Sequence, residues 1–159
     1  LQAAAHAAFL GRANTLHAIN FRAQARALQT ITPEGDQPHE MDRTLTHHCC
    51  AFNLQSWVNL FDLLTAAGLR PWNSEAGERV RTGLRRTLTL SNEGWTGVQA
   101  KPFDHRRLLP LNEALKNQTG EDLLRRAGNE GPALFNPHDG VAPFWRLTRL
   151  GLNPDDQMV

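Results

Sequence analysis

The stretch Thr32–Leu64, TPEGDQPHEMDRTLTHHCCAFNLQSWVNLFDLL, decides how this chain is read. From Thr46 onward it places Leu54, Trp57, Val58, Leu60, Phe61 and Leu64 over more than half of a helix circumference, as expected of a helix buried between other helices. Extended to Ala67, where Gly68 and Pro71 stop it, this is the expected core helix. Upstream, Thr32 to Thr46 is expected to be an irregular but anchored loop: Pro33 cannot continue a helix, Gly35 and Asp36 supply turn chemistry, and Pro38 forces Gln37 extended. The stretch also gathers an arginine, three histidines and both cysteines of the protein, so the chemistry is expected here and the rest of the chain is scaffold.

Working outward, Gln2 to Leu10 is rich in alanine, the best helix former, and Gly11 suits the left-handed residue that ends a helix. Asn14 is the expected cap of a second helix to about Ile31, with Leu16, Ile19, Ala23 and Ala27 on one face. Beyond the core helix, Ser74 caps a fourth that ends near Ser91, with Val80, Leu84 and Leu88 inward and Arg79, Arg81, Arg85 and Arg86 outward. Gly94 to Pro102 is a loop carrying Trp95. A fifth helix is expected over Asp104 to Asn117 and a short sixth over Glu121 to Ala127. After Gly128 the periodicity fails and prolines and glycines accumulate, so 129–159 is expected to be an extended tail anchored by Phe135, Phe144, Trp145 and Leu147. The class is all-α, in a single domain over 1–159.

With 159 residues, the chain can bury roughly two thirds of its unfolded surface. Its arginines are spread along it, and a net charge of +1 gives neither a duplex-binding face nor a polybasic membrane patch, so no nucleic-acid or membrane partner is expected. No apolar run approaches the ~18 residues of a membrane span. Leu1 opens directly into a helix without a basic leader, and the missing initiating Met suggests a processed or partial chain. Two adjacent cysteines make no disulfide framework and do not report a compartment.

Arg43 is placed to hold a carboxylate through two parallel hydrogen bonds, the alternative being a solvated arginine paired with Glu40 or Asp42. His47 and His48 lie about 100° apart on a helix, so one can serve a site as proton carrier while the other packs or caps. Cys49 and Cys50 are open to three readings: a nucleophile beside His48, metal ligands, or inert core. Their spacing with the histidines matches no established zinc site. Asn53, a polar residue on an apolar helix, either satisfies a buried group or faces a ligand.

These residues carry a resemblance. Gly35-Asp36-Gln37-Pro38-His39-Glu40-Met41-Asp42-Arg43-Thr44 followed by His48-Cys49-Cys50-Ala51-Phe52-Asn53-Leu54 resembles the segment of the alginate lyase family that reads G-S-Q-P-x-E-x-x-R-T and then H-Y-S-x-F-N-L. The alanine-rich start, the hairpin to Ile31, the turn Leu69-Arg70-Pro71-Trp72-Asn73 and Phe103 to Leu111 fall where that family has similar pieces, so the likeness is expected to run through Ala127 and to represent the C-terminal portion of the family's domain, incomplete at its N-terminus.

The resemblance implies helical hairpins forming part of an (α/α) toroid, export to the periplasm or beyond, and cleavage of uronate polysaccharide by β-elimination, without a cofactor or metal. That reaction needs donors on the uronate carboxylate, a base for the carbon-5 proton and an acid for the leaving glycosidic oxygen. Carried over, Arg43, His48 and Cys49 are the catalytic candidates, with Gln37, His47, Asn53 and Trp72 as substrate contacts. Cys49 stands where the family has its catalytic tyrosine, and the chain has no tyrosine at all. The family's Asn-Asn-His-Gly motif is absent too, and is expected upstream of Leu1. Two functions follow: an impaired lyase on acidic polysaccharide, or a non-catalytic helical interaction module. A Cys–His hydrolase lacks any recognisable oxyanion or orienting partner. Helix faces left uncovered in an incomplete toroid imply a homodimer or a partner-bound form.

Overall fold

The structure is a computed structural model that describes residues 1–124. Its elements are α1 (Gln2–Phe9), α2 (Ala13–Thr30), a single turn α3 (Pro38–Met41), α4 (Thr46–Ala66), α5 (Glu75–Glu93) and α6 (Leu109–Thr119), with 3₁₀ turns at Pro71–Asn73 and His105–Leu108. Among the described residues the only β pairing is an isolated antiparallel bridge between Leu45 and Gln99. The fold is all-α. The expected tail over 129–159 and its aromatic anchors lie outside the described residues.

The helix α4 is the core helix, as its apolar breadth requires. Ala51, Leu54, Val58 and Phe61 meet Ala23 and Ala27 of α2, Val80, Leu84 and Leu88 of α5, and Leu111 and Leu115 of α6 in one buried cluster. A second, smaller cluster joins Ala7, Leu16 and Leu64 where the α1–α2 hairpin meets the far end of α4. Gly11, at φ +63°, makes the reversal between α1 and α2. That turn is tight enough for α2 to begin at Ala13, so Asn14 falls inside the first helical turn and does not cap it. Ser74 does cap α5: its hydroxyl oxygen accepts from the Gly77 amide at 3.2 Å.

The Thr32–Gln37 loop is anchored from both sides. Thr32 and Asp36 exchange bonds, from the Thr32 amide to the Asp36 carbonyl at 2.9 Å and from the Asp36 amide to Thr32 Oγ1 at 3.1 Å. Gly35, at φ +88°, lies so close to α5 that a Cβ there would sit 2.5 Å from the Thr82 carbonyl oxygen. The outward arginines of α5 tie chain segments together: Arg79 donates to the Ile31 carbonyl (3.0 Å), Arg81 to the Trp72 carbonyl (2.8 Å), Arg86 pairs with Asp36 (2.9 Å) and Arg85 with Glu121 (2.7 Å).

The expected fifth helix divides in two. Asp104 caps a 3₁₀ turn by accepting from the Arg106 amide at 3.1 Å, and Pro110, without an N–H, opens α6 behind it. At Glu121–Leu124, the described part of the expected sixth helix, no helix is formed, and the amides of Leu123 and Leu124 donate to Asn112 Oδ1 (2.9 and 3.1 Å). Arg125 to Ala127 lie outside the described residues.

Candidate functional site

One face of α4 is left open to solvent near its N-terminus. His48, Cys49, Phe52, Asn53 and Ser56 follow one another at helical spacing along it and line a cleft of about 400 Å³. Glu40, from the single turn α3, and Arg43, from the link into α4, form another part of the wall, and Arg107 reaches it from the 3₁₀ turn before α6. The cleft thus joins three parts of the chain, with two guanidinium groups and one carboxylate around it.

Each component is held by identifiable forces. Arg43 is exposed and pairs with neither Glu40 nor Asp42 among the described residues, so its five N–H donors face water and the cleft. The turn carrying Arg107 is pinned by Arg106, whose guanidinium grips Asp104 at 2.8 Å and holds that carboxyl below its usual pKa. His48 meets the ring of Phe103 edge-on at 5.4 Å, which fixes the imidazole against the cleft wall.

The two histidines divide as helical geometry demands. His47 is buried and takes no part in the cleft; its ring lies between Trp95 (4.1 Å, 2° between planes) and Phe103 (3.5 Å, 14°). Ser91 Oγ spends its hydrogen on the Thr87 carbonyl (2.6 Å), so at 2.7 Å His47 Nε2–H is the donor to that oxygen. Burial first, and then the neighbouring His105 and His48, lower its pKa to about 4. The cysteines divide the same way. Cys49 lines the cleft, whereas Cys50 is buried, its thiol pushed up to about 12 by burial and then by Glu40, Cys49 and Asp36. No grouping among the described residues could hold a metal ion.

Two further expected substrate contacts are placed elsewhere. Trp72 is core: it packs edge-on against Phe61 at 5.2 Å and its indole N–H donates to Asp62 at 2.9 Å. Gln37 is only 2 % exposed and faces inward, accepting from Asn53 Nδ2 at 2.8 Å, since α5 covers its other side. The cleft therefore gathers Arg43, His48, Cys49 and Asn53, and excludes Gln37, His47 and Trp72. Sequence reasoning missed Arg107 as a cleft residue. Its only signal was position in a basic run next to Phe103, and nothing local says that the run folds back over α4.

The alginate lyase family model matches residues 1–94 of the chain. The match covers the N-terminal part of the chain, not its C-terminal part, and stops well before Ala127, so Phe103 and Arg107 lie beyond it. No curated protein and no solved structure matches the chain. The matched part holds α1 to α5, and with them all of the cleft except what the segment after Gly94 adds. Since it is more than half of the 159 residues, the chain belongs to the alginate lyase family.

Proposed function

We propose that the protein binds uronate-containing polysaccharide in the cleft on α4 and cleaves it by β-elimination, weakly, its helices forming part of an (α/α) toroid. The observation that carries this reading is the convergence of Arg43, Arg107, His48, Cys49 and Asn53 on one open cleft. Guanidinium groups match a carboxylate in shape and charge, and neutralising the uronate carboxylate acidifies the proton on carbon 5. His48 is the base that takes that proton. The electron pair of the broken C–H bond becomes the double bond between carbons 4 and 5, the bond from carbon 4 to the glycosidic oxygen breaks, and that oxygen leaves with a proton donated by Cys49.

The weak point is Cys49. A thiol is a poor hydrogen-bond partner beside the phenol the family uses there, and these residues hold no Asn-Asn-His-Gly motif to complete the carboxylate clamp. Positioned acid–base groups contribute roughly 10²–10⁴-fold each, so activity is expected far below that of a complete family member. Cys49→Tyr alone is expected not to restore it.

Elimination yields a double bond conjugated with the carboxylate, so turnover on alginate is read as growth of ultraviolet absorbance. Binding is read by titration calorimetry with an oligouronate, where Arg43→Ala weakens affinity and the exposed control Arg26→Ala does not. Robust absorbance growth from the unaltered chain would sink the impaired-lyase reading, and equal affinity of the two variants would remove Arg43 from the site.

A second reading, a helical interaction module, draws on Leu1 and Leu10, which flank α1, Phe9 at its end and Phe21 on α2, all large apolar side chains exposed to solvent. We propose that this face pairs with a second copy. In line with the family, export to the periplasm or beyond belongs to the same proposal.

A further inference from the structure

The Gln37 side chain, excluded from the cleft, touches it through one bond. Its amide spans two helices: Nε2 donates to Thr87 Oγ1 on α5 at 3.5 Å, and Oε1 accepts from Asn53 Nδ2 on α4 at 2.8 Å. At 2 % exposure it has no water to turn toward. Its backbone is fixed as well, because its carbonyl accepts from the amides of Glu40 (3.0 Å) and Met41 (2.9 Å) and so starts the turn that brings Glu40 to the cleft. A rigid acceptor therefore faces one N–H of Asn53. Asn53 is half-buried on the cleft wall, and what it keeps for the cleft is its carbonyl oxygen and its second N–H.

That pair differs in chemistry from the rest of the wall. Arg43 and Arg107 offer donors alone and suit carboxylate oxygens. An acceptor beside a donor on one amide is the complement of a hydroxyl group, which is itself donor and acceptor. We propose that Gln37 is a positioning residue that orients Asn53 to read a free sugar hydroxyl, and that Asn53 thereby sets specificity for hydroxyl-bearing uronates over those whose hydroxyls are blocked. A site built to hydrogen-bond a hydroxyl discriminates strongly against a ligand that lacks it, because the polar groups of the wall are then left unpaired. The inference rests on the uronate reading of the cleft and adds to it a second recognition element and the buried residue behind it.

The test is a double-variant cycle with two ligands, a uronate trisaccharide and its O-methylated counterpart, followed by titration calorimetry. Asn53→Ala and Gln37→Leu are each expected to weaken trisaccharide binding about tenfold, the order of one well-placed hydrogen bond, and to shrink the preference over the methylated ligand. The double variant binds no more weakly than Asn53→Ala alone. If Gln37→Leu does not fold, Thr87→Val, which releases the far end of the Gln37 amide, takes its place in the cycle.

The positioning is also read without ligand, from the Asn53 side-chain amide protons by nuclear magnetic resonance. One of them exchanges slowly with solvent in the unaltered chain and fast in Gln37→Leu. Equal losses from Gln37→Leu with and without Asn53, or solvent-rate exchange of both protons in the unaltered chain, overturn the positioning role. A preference for the hydroxyl-bearing ligand that survives Asn53→Ala overturns the specificity role. Failure of the unaltered chain to bind either ligand, with the Asn53 proton still protected, supports the positioning and refutes the uronate reading instead.

Discussion

The ring of His47 is sealed between Trp95 and Phe103, and its pKa falls from the ordinary 6.5 to about 4. Between those values the unfolded chain binds a proton that the folded chain refuses. The stabilisation is therefore complete above pH 6.5 and drains away as pH falls toward 4, a loss of at most about 3 kcal/mol. Denaturant midpoints measured across this range should fall with pH, and His47→Gln should flatten the slope; an unchanged slope in the variant would assign the acid sensitivity to other groups. That His47 and His48 serve different surroundings was legible in their adjacency. Which of them turns inward was not, because the choice is made by Trp95 and Phe103 from a loop far along the chain. For the same reason Gln37 and Trp72 looked like ligand contacts: a motif position fixes where a residue lies in the chain, while burial depends on what α5 and α4 lay over it.

At the scale of elements, the loop after α5 is clamped onto the start of α4. The Thr46 amide and hydroxyl both donate to the Val98 carbonyl (3.0 and 2.7 Å), the Trp95 indole donates to Thr46 Oγ1 (2.7 Å), and the Ala100 amide donates to the Thr44 carbonyl (3.0 Å). Gly97 sits inside this clamp, where a Cβ would collide with Thr46 Oγ1 and would lie 2.8 Å from Trp95 Nε1. Gly97→Ala is expected to destabilise the fold by about 1–3 kcal/mol, as overpacking does. It should also weaken oligouronate binding, since Phe103 and Arg107 hang from the same segment. Thermal melting and calorimetry check both, and a variant with unchanged melting would show that the clamp yields without cost. The helices themselves were legible from apolar spacing, and Ser74 and Asp104 from their capping chemistry. The irregular course of Glu121–Leu124 was not, since the contact of its amides with the Asn112 side chain is tertiary and absent from local propensity.

For the whole molecule, the all-α class followed from periodicity alone, and the family from the Gln37–Leu54 motif, while the cleft needed the packing of segments on both sides of α5. The exposed face of α1 and α2 gives the prediction at this scale. Phe9 is 90 % and Phe21 76 % exposed, and apolar surface of this kind, where contiguous, marks association sites. Sedimentation is expected to show a dimer that Phe9→Asp with Phe21→Asp converts to monomer; a monomer at high concentration in the unaltered chain would remove the interface. A last consequence lies in the arginines of α5, each of which grips a different connection: the end of α2, the loop at Asp36, the 3₁₀ turn at Trp72 and the segment at Glu121. When α5 detaches, the connections lose their moorings together, so in amide exchange the opening of α5 should release protection in these loops as well.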